Sequence, residues 1–317
     1  MTTIPATQKS RRLLVLKVIL GLLALGFLIA ALADQWGDVR SQLAELRWWS
    51  VAGSFVAVCV GMAASMLSYR ALLADLGSPL PTTVVARVFF LSQLGKYVPG
   101  SVWALVAQTE LARERGVPRS RSAAAVLTSI ALSIGIGILL ALGTLPLASG
   151  ADGQLWWLLV LAPVALLTLS PSLVTWSINR VLTLVRREPL EHPLSRRGVV
   201  KAVGWLVVMW IGLGTPVLLL GLDLGADFAD LWPAALGGFA AAWVAGFVVF
   251  VAPAGVGPRE YVLVLVLASV LPGGAAAALG LSVVVRLVMT AADLVLAGVA
   301  LMIPIGERTS GVGWRRQ

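Results

Sequence analysis

Long apolar runs alternate along the chain with short polar connections. Seven of the runs are long enough to be membrane spans, because about 20 residues of α-helix cross the hydrocarbon core of a bilayer. They cover residues 13–33, 50–69, 122–148, 154–176, 199–222, 231–250 and 280–303. The longest polar stretch, 177–198, is predicted to be a loop. The pattern therefore predicts an all-α polytopic membrane protein with about six to eight transmembrane helices.

Two segments interrupt the apolar pattern in the same way, one in each half of the chain. Residues 94–103 read LGKYVPGSVW and residues 252–260 read APAGVGPRE, so each places Gly, Pro and fixed charge in apolar sequence. Irregular backbone at membrane depth is tolerated where it is buried in protein or lines a water-filled cavity, and paired interruptions in two halves indicate a transport site. An ordinary helix kink is the alternative interpretation, since Pro and Gly are common in membrane helices.

Composition supports the membrane assignment and removes several classes of site. The chain is 59% hydrophobic and 12% charged with a mean hydropathy of +0.93, whereas soluble domains contain about 25% charged residues. With only Cys59 and His192, an internal disulfide, a Cys/His metal site and a Ser-His-Asp triad lack their residues. No nucleotide-binding motif is present. We therefore expect no cofactor, no metal and no enzymatic activity.

The charge distribution predicts the orientation. The net charge of +9 is carried by Lys and Arg in short connections, which the excess of basic residues in cytoplasmic loops explains better than nucleic-acid binding does. This rule puts the tails 1–12 and 304–317 in the cytoplasm, so both termini are expected inside. The apolar run 13–33 exceeds the 7–15 residues of a signal peptide core and is predicted to remain as an uncleaved span.

The alternation of loops between the two sides of the membrane also constrains the two broken segments. Residues 82–112 enter and leave by the cytoplasmic face, and with halves of about 14 residues they are predicted to form a re-entrant helical hairpin. Residues 231–278 begin and end on the outer side, either as a second re-entrant hairpin or as two crossings. A single membrane domain, 13–303, would then contain an inverted repeat of span, hairpin and span in 50–148 and 199–303.

The broken helices suggest an anion site, because exposed helix N-termini carry free N–H groups and partial positive charge. Lys96, Arg259 and Arg286 would add full charges. The candidate substrate-binding residues are Lys96, Tyr97, Pro99, Gly100, Trp103, Gly255, Gly257, Arg259 and Arg286. The candidates for charge partner or proton coupling are Glu110, Glu260 and Asp293. Internal ion pairs that only fix neighbouring helices are the alternative for these carboxylates.

At these residues the chain resembles the lysylphosphatidylglycerol synthase transmembrane region, also called the flippase-like family. The resemblance is carried by GKYVPG at 95–100 with Trp103, by PAGVG at 253–257 with Arg259 and Glu260, and by Arg286. Pro258 departs from it, since a small apolar residue is commoner there. The resemblance implies a bacterial inner-membrane protein that moves a lipid between leaflets. We expect a stand-alone member, without the aminoacyltransferase domain of the bifunctional proteins.

The resemblance leaves three functions to compare. The first is a flippase for a phosphate-containing lipid, which could be a phospholipid, aminoacyl-phosphatidylglycerol or a polyprenyl-phosphate-linked sugar. The second is a non-catalytic membrane partner of a cell-envelope glycosyltransferase or lipid synthase. The third is a membrane-embedded lipid-modifying enzyme that uses Glu260 or Asp293 as acid or base. The expected partners are an anionic lipid and the bilayer, with homo-oligomerisation left open and no nucleic acid.

Overall fold

The computed structural model describes residues 46–97, 102–148, 162–184, 193–248 and 257–304, and all regular structure in these ranges is helical. The predicted first span, 13–33, lies outside them. The α-helices are α1 Trp48–Asp75, α2 Thr82–Gln93, α3 Trp103–Arg113, α4 Arg119–Thr144, α5 Ala162–Thr168, α6 Pro171–Leu184, α7 Arg196–Asp223, α8 Phe228–Pro233, α9 Phe239–Val248, α10 Pro258–Leu267 and α11 Gly274–Met302.

Five of the described stretches are long and apolar enough to cross a membrane. They are Trp48–Asp75, Arg119–Leu147, Arg196–Asp223, Phe228–Phe247 and Gly274–Met302. A 3₁₀ turn, Leu94–Tyr97, follows α2, another, Leu145–Leu147, follows α4, and a π-helix, Ala234–Gly238, joins α8 to α9. The prediction of an all-α polytopic membrane fold is confirmed.

The region between the two halves differs from the prediction. Helix α5 ends at Thr168 and a new helix, α6, begins at Pro171 and continues to Leu184. The residue before a proline is disfavoured in helical conformation, so Ser170 interrupts the helix. One span ending at 176, followed by a loop from 177, was therefore a wrong prediction.

Among the described helices, the most extensive interface is that between α1 and α7, two antiparallel helices of 28 residues each. They cross at Gly61 and Gly212, where the backbones come very close. A Cβ atom on Gly212 would lie 2.6 Å from the carbonyl oxygen of Ala57 and 2.9 Å from the Cα of Gly61. Small residues permit such close approach of membrane helices, which maximises van der Waals contact between them.

At each end of this helix pair, an aspartate links the two helices through hydrogen bonds. The carboxylate of Asp75 accepts hydrogen bonds from the backbone N–H of Ser195 at 2.7 Å and from its hydroxyl at 2.6 Å. Ser195 in turn caps α7 by accepting from the Gly198 N–H at 3.0 Å. At the opposite end, the Arg47 N–H donates to Asp223 at 3.0 Å. We call these two contacts, with the Gly61–Gly212 crossing, the central clasp.

Shorter helices pack on each side of the central clasp. Helices α2 and α3, of 12 and 11 residues, pack against each other and form the first hairpin. At 1.5 Å per residue each is about 17 Å long, too short to cross a core of about 30 Å. The second hairpin consists of α8, the π-helix and α9 on one side and α10, of 10 residues, on the other. The first hairpin also contacts α11, and the second contacts α4.

The π-helix fits closely between its neighbours. It directly follows Pro233, which has no N–H to continue the regular helical hydrogen bonding. A Cβ on Gly237 would overlap the hydroxyl of Thr144 on α4, and one on Gly238 would lie 2.7 Å from Val266 on α10. These glycines therefore let the π-helix pack closely between α4 and α10.

Candidate functional site

A cavity of about 300 Å³ lies between the two hairpins and the central clasp. Helices α1 to α4 line one side of it, and α7, α9, α10 and α11 line the other. Binding pockets for small molecules begin at about this volume, so the space suits a polar headgroup. Its charged lining residues are Lys96, Arg259, Arg286 and Asp293, and its phenolic ones are Tyr69 and Tyr97.

Lys96 and Tyr97 converge on one buried carboxylate. The Nζ of Lys96 lies 2.6 Å from Oδ2 of Asp293, and the hydroxyl of Tyr97 donates to the same oxygen at 2.6 Å. Asp293 is 1% exposed in the middle of the apolar helix α11. A buried charge needs a partner to offset the loss of its hydration. The interaction consequently fixes the turn after α2 to the last helix.

A second ion pair joins α10 to α11. The guanidinium of Arg286 lies 2.9 Å from Oε1 of Glu260, whose other oxygen accepts from the Gly257 N–H at 2.7 Å. Gly257 has a φ of 95°, in the region that favours glycine, and immediately precedes α10. The carboxylate in the first turn of α10 also complements the positive end of the helix dipole.

Arg259 has different surroundings from the other two cations. Among the residues that the structure describes, no carboxylate lies within 4 Å of its guanidinium. It donates instead to the sulfur of Met289 at 2.9 Å and lies over the ring of Phe239 at 4.7 Å, a favourable but weak cation–π contact. Three cations and two carboxylates therefore meet at the described walls of the cavity, which leaves a surplus of one positive charge.

The amino-acid sequence matches a known family of membrane proteins. The family model described as lysylphosphatidylglycerol synthase TM region matches residues 14–297, nearly the whole chain. The chain belongs to this family. No curated protein and no solved structure shows significant similarity to it. Membership implies a lipid-related role in a membrane, and both broken segments and all of the charged cavity residues lie within the match.

In this member of the lysylphosphatidylglycerol synthase TM family, the structure brings together most of the predicted site residues. Lys96, Tyr97, Arg259, Arg286 and Asp293 line the cavity. Glu260 and Gly257 adjoin it through Arg286. The predicted residues Pro99, Gly100 and Gly255 lie outside the described ranges. Trp103 begins α3 and is not among the lining residues.

Glu110 is placed away from the cavity. It lies near the exposed end of α3, where it accepts from Arg113 at 2.7 Å and from Arg119 at 2.7 Å. These hydrogen bonds, first that from Arg113, lower the pKa of Glu110 below its usual value. The structure gives no support to Glu110 as a member of the site's charge network, because its carboxylate is paired with Arg113 and Arg119 and does not line the cavity.

Neutral polar residues of the cavity were missed in the sequence. Seven hydroxyl and amide side chains line it, namely Ser65, Tyr69, Gln93, Gln108, Ser129, Ser133 and Thr290. Their helical spacing from the charged candidate residues could have indicated them. Thr290 lies four residues after Arg286 and three before Asp293, and Gln93 lies three before Lys96, so each shares a face with a charged residue.

Proposed function

We propose that this protein moves a phosphate-containing lipid between the two leaflets of the membrane, with the headgroup passing through the cavity and the acyl chains remaining in the bilayer. The observation that carries the proposal is the surplus positive charge at Arg259. Uncompensated charge in an apolar surrounding is costly, so a cavity of this kind binds an anion. In a membrane protein of this family, the available anion is the phosphate of a lipid.

The partners of Arg259 support this assignment. A thioether and an aromatic face are weak partners for a guanidinium, whereas phosphate oxygens match its planar set of donors and form charge-assisted hydrogen bonds. Lys96 and Arg286 are each held by a carboxylate and would add their field to the site without moving. Binding of a phosphate would therefore replace weak contacts of Arg259 and leave the ion pairs intact.

We further propose that the two hairpins open the cavity in turn to opposite leaflets. The antiparallel arrangement of α1 and α7 and the crossed contacts of each hairpin with the last helix of the other half support an inverted repeat, residues 50–148 and 199–303. In such repeats, movement of one unit against the other exposes a fixed site alternately to the two sides. The charge distribution supports cytoplasmic termini in a bacterial plasma membrane.

The test is lipid movement in vesicles that contain the purified protein. Phosphatidylglycerol with a fluorescent acyl chain is reconstituted, and a membrane-impermeant quencher reports the fraction reaching the outer leaflet over time. The variant Arg259→Ala is compared with Arg197→Ala, which removes an exposed arginine outside the cavity. A hydrogen bond to a charged group contributes about 1.5–3 kcal/mol, so Arg259→Ala is expected to slow movement at least about tenfold and Arg197→Ala not at all.

The other functions appear as distinct results of the same experiment. Equal rates for wild type, Arg259→Ala and protein-free vesicles would overturn lipid transport and favour a membrane partner of a glycosyltransferase or lipid synthase. A change in lipid mass detected by mass spectrometry would instead favour an enzyme. Arg259→Lys is expected to retain part of the activity, because it keeps the charge but loses the planar set of donors.

A further inference from the structure

We propose that the headgroup accepted by this cavity is a singly charged phosphodiester that bears an uncharged, hydroxyl-rich group, such as glycerol or a hexose, and not an aminoacyl group. The inference rests on the proposed function and specifies its substrate. It follows from the number of charges at the cavity, from the pairing of each carboxylate with a cation and from the polar side chains that α1 to α4 contribute to the cavity.

The net charge at the described walls fits one negative charge. Lys96 and Arg286 are neutralised by Asp293 and Glu260, which leaves the charge of Arg259. A phosphodiester carries one negative charge and would bring the cavity to neutrality. A diphosphate would leave uncompensated negative charge there, at the cost that accompanies any unpaired charge in an apolar surrounding.

An aminoacyl headgroup would add an ammonium, which requires a carboxylate of its own. Oδ2 of Asp293 is held by Lys96 and Tyr97, and Oδ1, which has no hydrogen-bond partner among the described residues, is buried out of reach of the cavity. The two oxygens of Glu260 are held by Arg286 and by the Gly257 N–H. In the part of the chain that the structure describes, the cavity offers no further carboxylate. An ammonium would therefore increase the surplus of positive charge, which opposes its entry.

The wall formed by α1 to α4 suits hydroxyl groups. It contributes the side chains of Ser65, Gln93, Gln108 and Ser129 to the cavity, and its one cation, Lys96, is already paired. The Gln93 amide makes no side-chain hydrogen bond to another described residue, so its donors and its acceptor are available. An amide both donates and accepts, as a hydroxyl group does. This wall can thus bind sugar or glycerol hydroxyls while Arg259 holds the phosphate.

The inference is tested with lipids that differ only in the headgroup. Vesicles with the wild-type protein carry acyl-labelled phosphatidylglycerol, lysyl-phosphatidylglycerol or phosphatidic acid, and a separate set carries a labelled polyprenyl-phosphate hexose. We expect phosphatidylglycerol or the hexose lipid to move at least about tenfold faster than lysyl-phosphatidylglycerol, because the unpaired ammonium is excluded. The faster of these two lipids identifies whether the hydroxyls belong to glycerol or to a sugar.

Substitution of Gln93 tests binding of the hydroxyl-bearing group separately from binding of the phosphate. Gln93→Ala is expected to slow phosphatidylglycerol about two- to tenfold, the effect of one lost hydrogen bond, and to leave phosphatidic acid unchanged. Gln93→Glu supplies the missing carboxylate and is expected to raise the rate of lysyl-phosphatidylglycerol relative to phosphatidylglycerol. Ser269→Ala, an exposed position outside the cavity, serves as the control.

The outcomes distinguish this inference from the proposed function. Lysyl-phosphatidylglycerol that moves as fast as phosphatidylglycerol would overturn the inference and leave lipid transport standing. No movement of any lipid above protein-free vesicles would overturn transport itself. Variants are first checked for a single symmetric peak in gel filtration. If the Gln93 variants fail that check, the wild-type comparison of headgroups alone decides.

Discussion

The central clasp and the cavity both place acidic side chains in a mostly apolar molecule, but they use them differently. Asp75 and Asp223 lie at helix ends and accept hydrogen bonds from backbone N–H groups and a hydroxyl, and Asp223 also lies 3.9 Å from the exposed guanidinium of Arg47. Asp293 and Glu260 lie inside and meet cations. The clasp closes with its hydrogen bonds matched, whereas the cavity retains a positive charge. Among the described residues of the cavity, Arg259 has no carboxylate within 4 Å, which makes the cavity the candidate site for an anionic ligand.

The central clasp and the cavity also differ in how tightly their helices pack. Gly61 and Gly212 allow the backbones of the clasp to touch, while long side chains at the cavity hold helices apart around a space of about 300 Å³. We therefore expect substitutions in the clasp to reduce stability and substitutions at the cavity to change both stability and lipid movement.

The largest loss of stability is expected at Asp293. Asp293→Asn leaves Lys96 without its counter-charge in a largely apolar surrounding, and removal of one partner of a buried pair costs about 3 kcal/mol. The free energy of unfolding, measured in detergent with denaturant, should fall by about this amount. The double variant Lys96→Met, Asp293→Leu is expected to recover most of it, since apolar replacement of both partners is nearly neutral. Equal losses in the single and double variants would contradict the ion pair.

The next effect is expected at the crossing of the clasp. Gly212→Ala would press a methyl group against the Ala57 carbonyl, and such overpacking costs about 1–3 kcal/mol. Gly204→Ala is the matched control on the same helix, because nothing lies within 4 Å of the added Cβ there. It should be neutral or stabilising by up to about 1 kcal/mol. Similar melting temperatures for the two variants would show that the backbones are not in contact.

A smaller effect is expected at the end of the clasp. Asp75→Ala removes the acceptor of both Ser195 donors and should lower the free energy of unfolding by about 1 kcal/mol, as loss of a helix cap does. Asp75→Asn keeps one acceptor oxygen and should lose about half as much. Neither variant should alter lipid movement per folded molecule, and a large change in that rate would place the clasp within the moving parts.

The smallest effect is expected at Glu110. Its pKa is lowered by Arg113 and Arg119, so its contribution to stability is present above the ordinary carboxyl pKa of about 4.3 and is lost as the pH falls through the lower value in the folded protein. Glu110→Gln should therefore lower the melting temperature slightly at pH 7, and the difference from wild type should shrink as the pH falls below about 4. High salt should reduce the difference. Slowed lipid movement in this variant would return Glu110 to the site.

The sequence predicted the site in part because charge in apolar sequence is conspicuous. Lys96, Arg259, Arg286 and Asp293 could be selected for this reason, and all four line the cavity. The same rule selected Glu110, which the structure places outside the cavity lining, because Arg113 and Arg119 follow it closely in the chain and pair with it near the end of the helix. Proximity of a charge to a motif does not show which way its side chain points.

Pairings between distant segments could not be predicted. Asp75 and Ser195 are 120 positions apart and Arg47 and Asp223 are 176 positions apart, and nothing local in the sequence indicates their contacts. The neutral residue Gln93 was missed because a single amide in an apolar helix is common. The proline after Ser170 could have predicted the interruption there, but the continuous apolar run across it favoured a single span.

The central clasp also has a consequence for the covalent chain. Its contacts join one half of the molecule to the other without using the connection between α6 and α7. We therefore expect the connection across residues 185–192 to keep the two halves near each other, which raises their effective concentration, while the contacts of the clasp hold them together. Two fragments divided within that link retain between them every contact of the clasp, so we expect them to assemble as a heterodimer when they are co-expressed.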